Sequence, residues 1–112
     1  MFGFTNIFCQ KMNINETILR SVNDLSGHYH EVYTDLHRNP ELSLMEVRTS
    51  GIMADNLEKL GFETTRGVGG NGVVGIFRNG RGKTVMLRTD MDALPVKETT
   101  GLSYGSTVVM KD

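Results

Sequence analysis

Asp90 and Asp92 are the two side chains of this chain best placed to do chemistry. They stand in Arg88-Thr89-Asp90-Met91-Asp92-Ala93-Leu94-Pro95, directly behind the β-like run Thr84-Val85-Met86-Leu87. An extended backbone sends alternate side chains to one face, so the two carboxylates can point together if strand geometry persists that far. Ligand sites form at strand ends in α/β sheets, and paired acids there support metal binding or proton transfer. Only 17 residues follow Pro95, and they hold no cluster of His, Cys and further Glu to complete such a site. The pattern reads as the opening portion of an enzyme, cut off before its chemistry.

The other reactive residue types have plainer readings. His28 and His30 are two apart, which puts them on different sides of a helix, so both are expected at the surface. His30 and His37 could align, but no acid or thiol is placed to complete a metal site. Cys9 is the one cysteine and has no partner for an internal disulfide. Gly67-Val68-Gly69-Gly70-Asn71-Gly72 satisfies G-x-G-x-x-G, yet a β-branched run follows it. A dinucleotide site needs a helix N-terminus there, so the segment is read as a strand connection. Gly82-Lys83-Thr84 imitates the end of a phosphate-binding loop, but Phe77 stands where the earlier glycine is required.

Composition narrows the class. With 112 residues, a net charge of -1, 38% hydrophobic and 22% charged residues, the chain has no electrostatic bias toward nucleic acid or an anionic membrane. No apolar run approaches the ~20 residues that span a bilayer. Phe2, Phe4, Ile7 and Phe8 make a weak apolar segment without the basic start or small-residue end of a secretory signal. Residues 1–12 are expected to be a disordered extension, residues 13–112 part of a catalytic α/β domain, and the location cytoplasmic.

The elements that must position Asp90 and Asp92 follow from periodicity. Ile14, Ile18, Val22, Leu25, Tyr29, Val32 and Leu36 recur at three- and four-residue spacing, one apolar stripe of a helix. Asn13 suits its N-cap, with Glu16 three residues on, and Pro40 forces an end near Arg38. Ser43-Leu44-Met45-Glu46 matches a capping box opening a second helix with Val47, Ala54, Leu57 and Leu60 on its face. Gly61 and Phe62 suit a Schellman closure. Glu63–Arg66 and Gly72–Arg78 read as strands, and Asn79-Gly80 as a hairpin turn into a returning strand, Thr84–Arg88. Two helices followed by the first strands of a mixed sheet give an incomplete α/β domain.

Read in order, His37-x-x-Pro40-Glu41-Leu42-Ser43, Glu46, Thr49, Leu60-Gly61-Phe62, Gly72-Val73-Val74, Leu87 to Pro95, Glu98 and Gly101-Leu102-x-Tyr104 form a set. This set resembles the N-terminal part of the metal-dependent amidohydrolases that include hippurate hydrolase, N-acyl-amino-acid hydrolases and auxin-conjugate hydrolases. The resemblance runs from about Asn13 to Asp112, with Thr89 where the family more often has Ala. It implies a zinc-peptidase-like catalytic domain, a smaller dimerisation domain and N-acyl amino acid substrates. It also implies a divalent metal, zinc or manganese, held by a downstream His-x-Cys-Gly-His-Asp segment and later Glu and His residues. None of those ligands falls in this chain, so no metal is expected to bind it and the chain by itself is expected to be inactive. By the same resemblance Asp92 orients a ligand histidine by accepting its N–H, and Asp90 supports local structure or site electrostatics. Two other classes compete: a non-enzymatic remnant of an interrupted gene, and a small stand-alone α/β binding domain.

Overall fold

The computed structural model describes residues 13–109. Its elements run α1 (Ile14–Arg38), α2 (Val47–Lys59), β1 (Glu63–Val68) and β2 (Gly72–Ile76). The two helices followed by strands are the incomplete α/β arrangement that periodicity implies. The chain divides into two compact units, one ending at Tyr33 and one beginning at Thr34. The first is helical from Ile14 onward. Asn13 caps it, its Oδ1 accepting the Asn15 N–H at 3.1 Å. The stripe from Ile14 to Leu25 is exposed, Ile14 at 72% and Val22 at 57%.

The second unit starts with the last turn of α1, which stops at Arg38, where Asn39 precedes Pro40. α2 begins three residues later than a capping box at Ser43 requires. Ser43 and Leu44 lie in a turn closed by Met45 N–H on the Leu42 carbonyl at 2.9 Å, with Leu44 at a φ of 67°. Glu46 is therefore the N-cap residue, and its side chain makes no cap hydrogen bond. The C-terminus follows the sequence closely. Gly61 N–H reaches the Glu58 carbonyl at 2.9 Å and Phe62 N–H the Leu57 carbonyl at 3.0 Å, both bonds of the Schellman motif.

β1 and β2 form an antiparallel pair from Glu63↔Ile76 to Val68↔Gly72, with a bulge between Arg66 and Val68. The hairpin turns through the Gly67–Gly72 segment, a strand connection as expected, and not at Asn79-Gly80. Thr84–Arg88 forms no strand, and Val85, Met86 and Leu87 are 85%, 83% and 96% exposed. With no third strand, the sheet has two members among the described residues. α2 lies close over it: a Cβ on Gly75 would meet Leu57 Cδ1 at 3.1 Å and Phe62 Cδ1 at 3.2 Å. Arg66 ties strand to helix through Asp55 at 2.6 Å and Glu58 at 2.8 Å. Apolar burial is sparse, and Ala54 is the one fully covered apolar residue among those described.

Gly61 holds a φ of 84° and a Cβ there would meet nothing within 4 Å, so its requirement is backbone conformation alone. Gly61→Ala is expected to lower unfolding free energy by about 1 kcal/mol, the strain of a left-handed non-glycine residue. Denaturant unfolding checks this, with an unchanged slope expected beside the lowered midpoint.

Candidate functional site

The site builds outward from the junction between the helices, His37 to Leu42. His37 closes the last turn of α1, and its Nε2 lies 2.9 Å from Glu98 Oε1. The Tyr104 ring meets the imidazole edge-on, centroids 5.4 Å apart at 85°. Arg38 Nη2 donates to the Ser103 carbonyl at 3.3 Å. On the other side of Pro40, the Glu41 carbonyl accepts the Ala93 N–H at 2.8 Å. The segment carrying Asp92 is thus moored beside the α1–α2 junction.

Glu41 also works in the opposite direction. Its Oε1 accepts the Arg48 N–H at 3.1 Å and its Oε2 the Thr49 N–H at 2.7 Å. These are the second and third N–H groups of α2, the ones an N-cap side chain ordinarily satisfies. Burial pushes the Glu41 carboxyl up, but the Thr49 and Arg48 hydrogen bonds with the Arg48 charge outweigh it and hold the group below its usual range. Arg48 also pairs with Asp35, and Asn71 Nδ2 donates to the Leu44 carbonyl at 3.1 Å and Glu46 Oε2 at 3.2 Å.

Asp90 and Asp92 are both exposed and lie outside helix and strand. No strand ends here, so backbone alternation does not bring the two carboxylates to a shared face. Arg88 Nη2 contacts Asp90 Oδ1 at 2.6 Å in an exposed ion pair, a class that contributes little stability. Among the described residues Asp92 makes no ion pair. No three His, Cys, Asp or Glu side chains among those described come together as a metal centre requires. The hollow formed by residues 76–85 contains neither aspartate, nor His37 nor Glu98. His28 and His30 are exposed, as expected. Cys9 lies outside the described residues, and no described helix is long and apolar enough to cross a membrane.

In the sequence His37 and Glu98 stand out only as members of a motif set, and nothing in it shows that they meet. They lie 61 residues apart, and no local periodicity links a helix end to a distant loop.

Comparison with known proteins supplies the wider setting. No family model matches, and no solved structure matches. The chain is 42% identical over 99 residues to thermostable carboxypeptidase 2 of Saccharolobus solfataricus, covering 87% of this chain and 25% of that protein. It is 40% identical over 96 residues to hippurate hydrolase of Campylobacter jejuni, covering 85% of this chain and 24% of the relative. An IAA-amino acid hydrolase of Arabidopsis thaliana is 38% identical over 73 residues, 65% of this chain and 17% of its own length. The chain therefore spans about a quarter, or less, of these relatives. Over that part of their length, the chain is a homologue of the amidohydrolase and carboxypeptidase group of hydrolases.

Proposed function

We propose that this chain supplies the N-terminal portion of a hydrolase that cleaves the amide bond of N-acyl amino acids, hippurate-type substrates among them. One observation carries the reading: most of the chain matches proteins named hippurate hydrolase and carboxypeptidase at 40% and 42% identity. Hippurate is itself an N-acyl amino acid, and both names describe hydrolysis of an amide joined to an amino acid. In this reading Asp92 accepts a hydrogen bond from a histidine outside the chain and fixes that histidine's tautomer and orientation. Asp90, drawn toward Arg88, contributes to the local field. The described residues do not by themselves form a metal site, so no metal-borne step is assigned to them. A zinc or manganese centre and a homodimer belong to the proposal for the complete enzyme.

The test is direct. The complete protein, purified with zinc or manganese, is incubated with hippurate and with N-acetyl amino acids, and the released amino acid is measured. Release that a chelator abolishes is the expected result; a folded protein that hydrolyses no N-acyl amino acid would overturn the reading. The isolated 112-residue chain is expected to release none.

A further inference from the structure

Glu98 divides its carboxylate between two partners. Oε1 meets His37 Nε2 at 2.9 Å and Oε2 accepts the Ser106 N–H at 2.8 Å. Its own N–H donates to the Ser106 carbonyl at 2.9 Å, so Glu98 closes the loop that runs to Ser106 at both backbone and side chain. The His37 and Glu98 side chains are 28% and 22% exposed, and Ser106 is buried at 5%. The other mooring, Ala93 N–H on the Glu41 carbonyl, lies five residues upstream in the same segment. The two receiving residues, His37 and Glu41, are only four apart.

Between the moorings the chain is stiff. Pro95 fixes its own φ, and Val96 N–H folds back to the Leu94 carbonyl at 2.9 Å. The bridge has little apolar burial to hold it: Leu94 is 74% exposed and Val96 60%. Polar contacts at its two ends therefore decide where it sits. Asp92 immediately precedes the Ala93 end.

We infer that Glu98, held by His37, is a positioning residue for Asp92: it clamps the far end of a short backbone bridge whose near end carries that aspartate. This rests on the reading of Asp92 as a site residue. The hydrogen bond from His37 above all, then the Ser106 N–H, hold the Glu98 carboxyl below its usual range despite desolvation. A carboxyl lowered in the folded state contributes fully above its ordinary value, and the contribution is lost as pH falls through the lowered one. His37 of α1 is the imidazole facing it, with the Tyr104 ring edge-on to that imidazole and the neighbouring Arg38 guanidinium on the Ser103 carbonyl.

Amide hydrogen exchange on the full chain tests the clamp. Glu98→Ala is expected to speed exchange at Ala93 and Ser106 on the order of tenfold, the equivalent of one net hydrogen bond. Ser50, whose N–H bonds the Glu46 carbonyl within α2, should keep its rate. Glu98→Gln retains one carbonyl oxygen and is expected to fall between. In the parent chain, Ala93 exchange corrected for intrinsic rate should rise as pH drops below the ordinary glutamate range, and in Glu98→Gln the rise should be smaller, the remainder following Glu41, whose carbonyl holds the Ala93 N–H and whose carboxylate is also lowered. An unchanged Ala93 overturns the inference, and so does an equal increase at Ser50, which would show global loosening. If Glu98→Ala does not fold, the Gln variant and the parent's pH series decide. These rates do not depend on turnover, so an inactive complete protein would count against the hydrolase reading and leave this result standing.

Discussion

Asp92→Asn in the complete protein is expected to lower kcat/KM for N-acyl amino acid hydrolysis by about 10–100-fold while leaving the thermal midpoint in place. The magnitude is that of losing the charged acceptor behind a ligand histidine: asparagine keeps the shape and one oxygen but loses the negative charge that holds the imidazole in one tautomer. Among the described residues Asp92 is exposed and makes no ion pair, so within this part of the protein asparagine removes no contact that holds the fold. Asp90→Asn should fall less, since its carboxylate already faces the Arg88 guanidinium at 2.6 Å. The informative measurement is the pair of variants side by side, with kcat and KM separated and melting curves recorded. Asp92→Asn turning over like the parent, or losing activity only in proportion to lost folded protein, would remove Asp92 from the site.

Much of the fold was legible where the controlling interactions are local. Pro40 sets the end of α1, and Leu57, Gly61 and Phe62 set the end of α2, because each acts on backbone within five residues of itself. The start of α2 was not legible in this way. Ser43 and Glu46 have the spacing of a capping box, but the turn through Leu44 moves the first helical residue to Val47 and leaves the capping to Glu41. The strand expected at Thr84–Arg88 has the right residue types, and Asn79-Gly80 is a strong turn signal. Residue types alone do not make a strand: β2 pairs with β1 through the glycine loop, no described strand pairs on its other edge, and Val85, Met86 and Leu87 bury too little surface to hold one there. The candidate site shows the same division. The aspartates announce themselves by type and spacing, whereas the contacts that moor them, His37 to Glu98 and Glu41 to Ala93, span 61 and 52 residues and have no local signature.

Glu41→Ala is expected to destabilise the second unit by about 1–2 kcal/mol, the upper part of the range for losing an N-cap side chain. The upper part applies for three reasons. One carboxylate serves both Arg48 N–H and Thr49 N–H, so its removal costs two helix N–H groups their acceptor, one of them on a residue that is buried at 6% exposure. A negative charge at a helix N-terminus is also favourable through the aligned backbone dipoles. Glu46, the residue in the N-cap position, makes no cap bond that could compensate. Glu41→Gln should lose roughly half as much, keeping an oxygen acceptor without the charge. The pH dependence has a fixed sign: Glu41 sits below its ordinary value when folded, so its contribution is complete above about pH 4.3 and disappears as pH falls through the lowered value. Denaturant unfolding of the parent and both variants across pH 3 to 7 measures all of this, and the difference between parent and Glu41→Gln should shrink toward the acid end. A difference that stays constant with pH would mean that the Glu41 charge does not cap the helix. Because the Glu41 carbonyl also receives the Ala93 N–H, a frayed α2 start should reach the aspartate segment as well, seen as faster exchange at Ala93 in Glu41→Ala although the carbonyl itself is untouched.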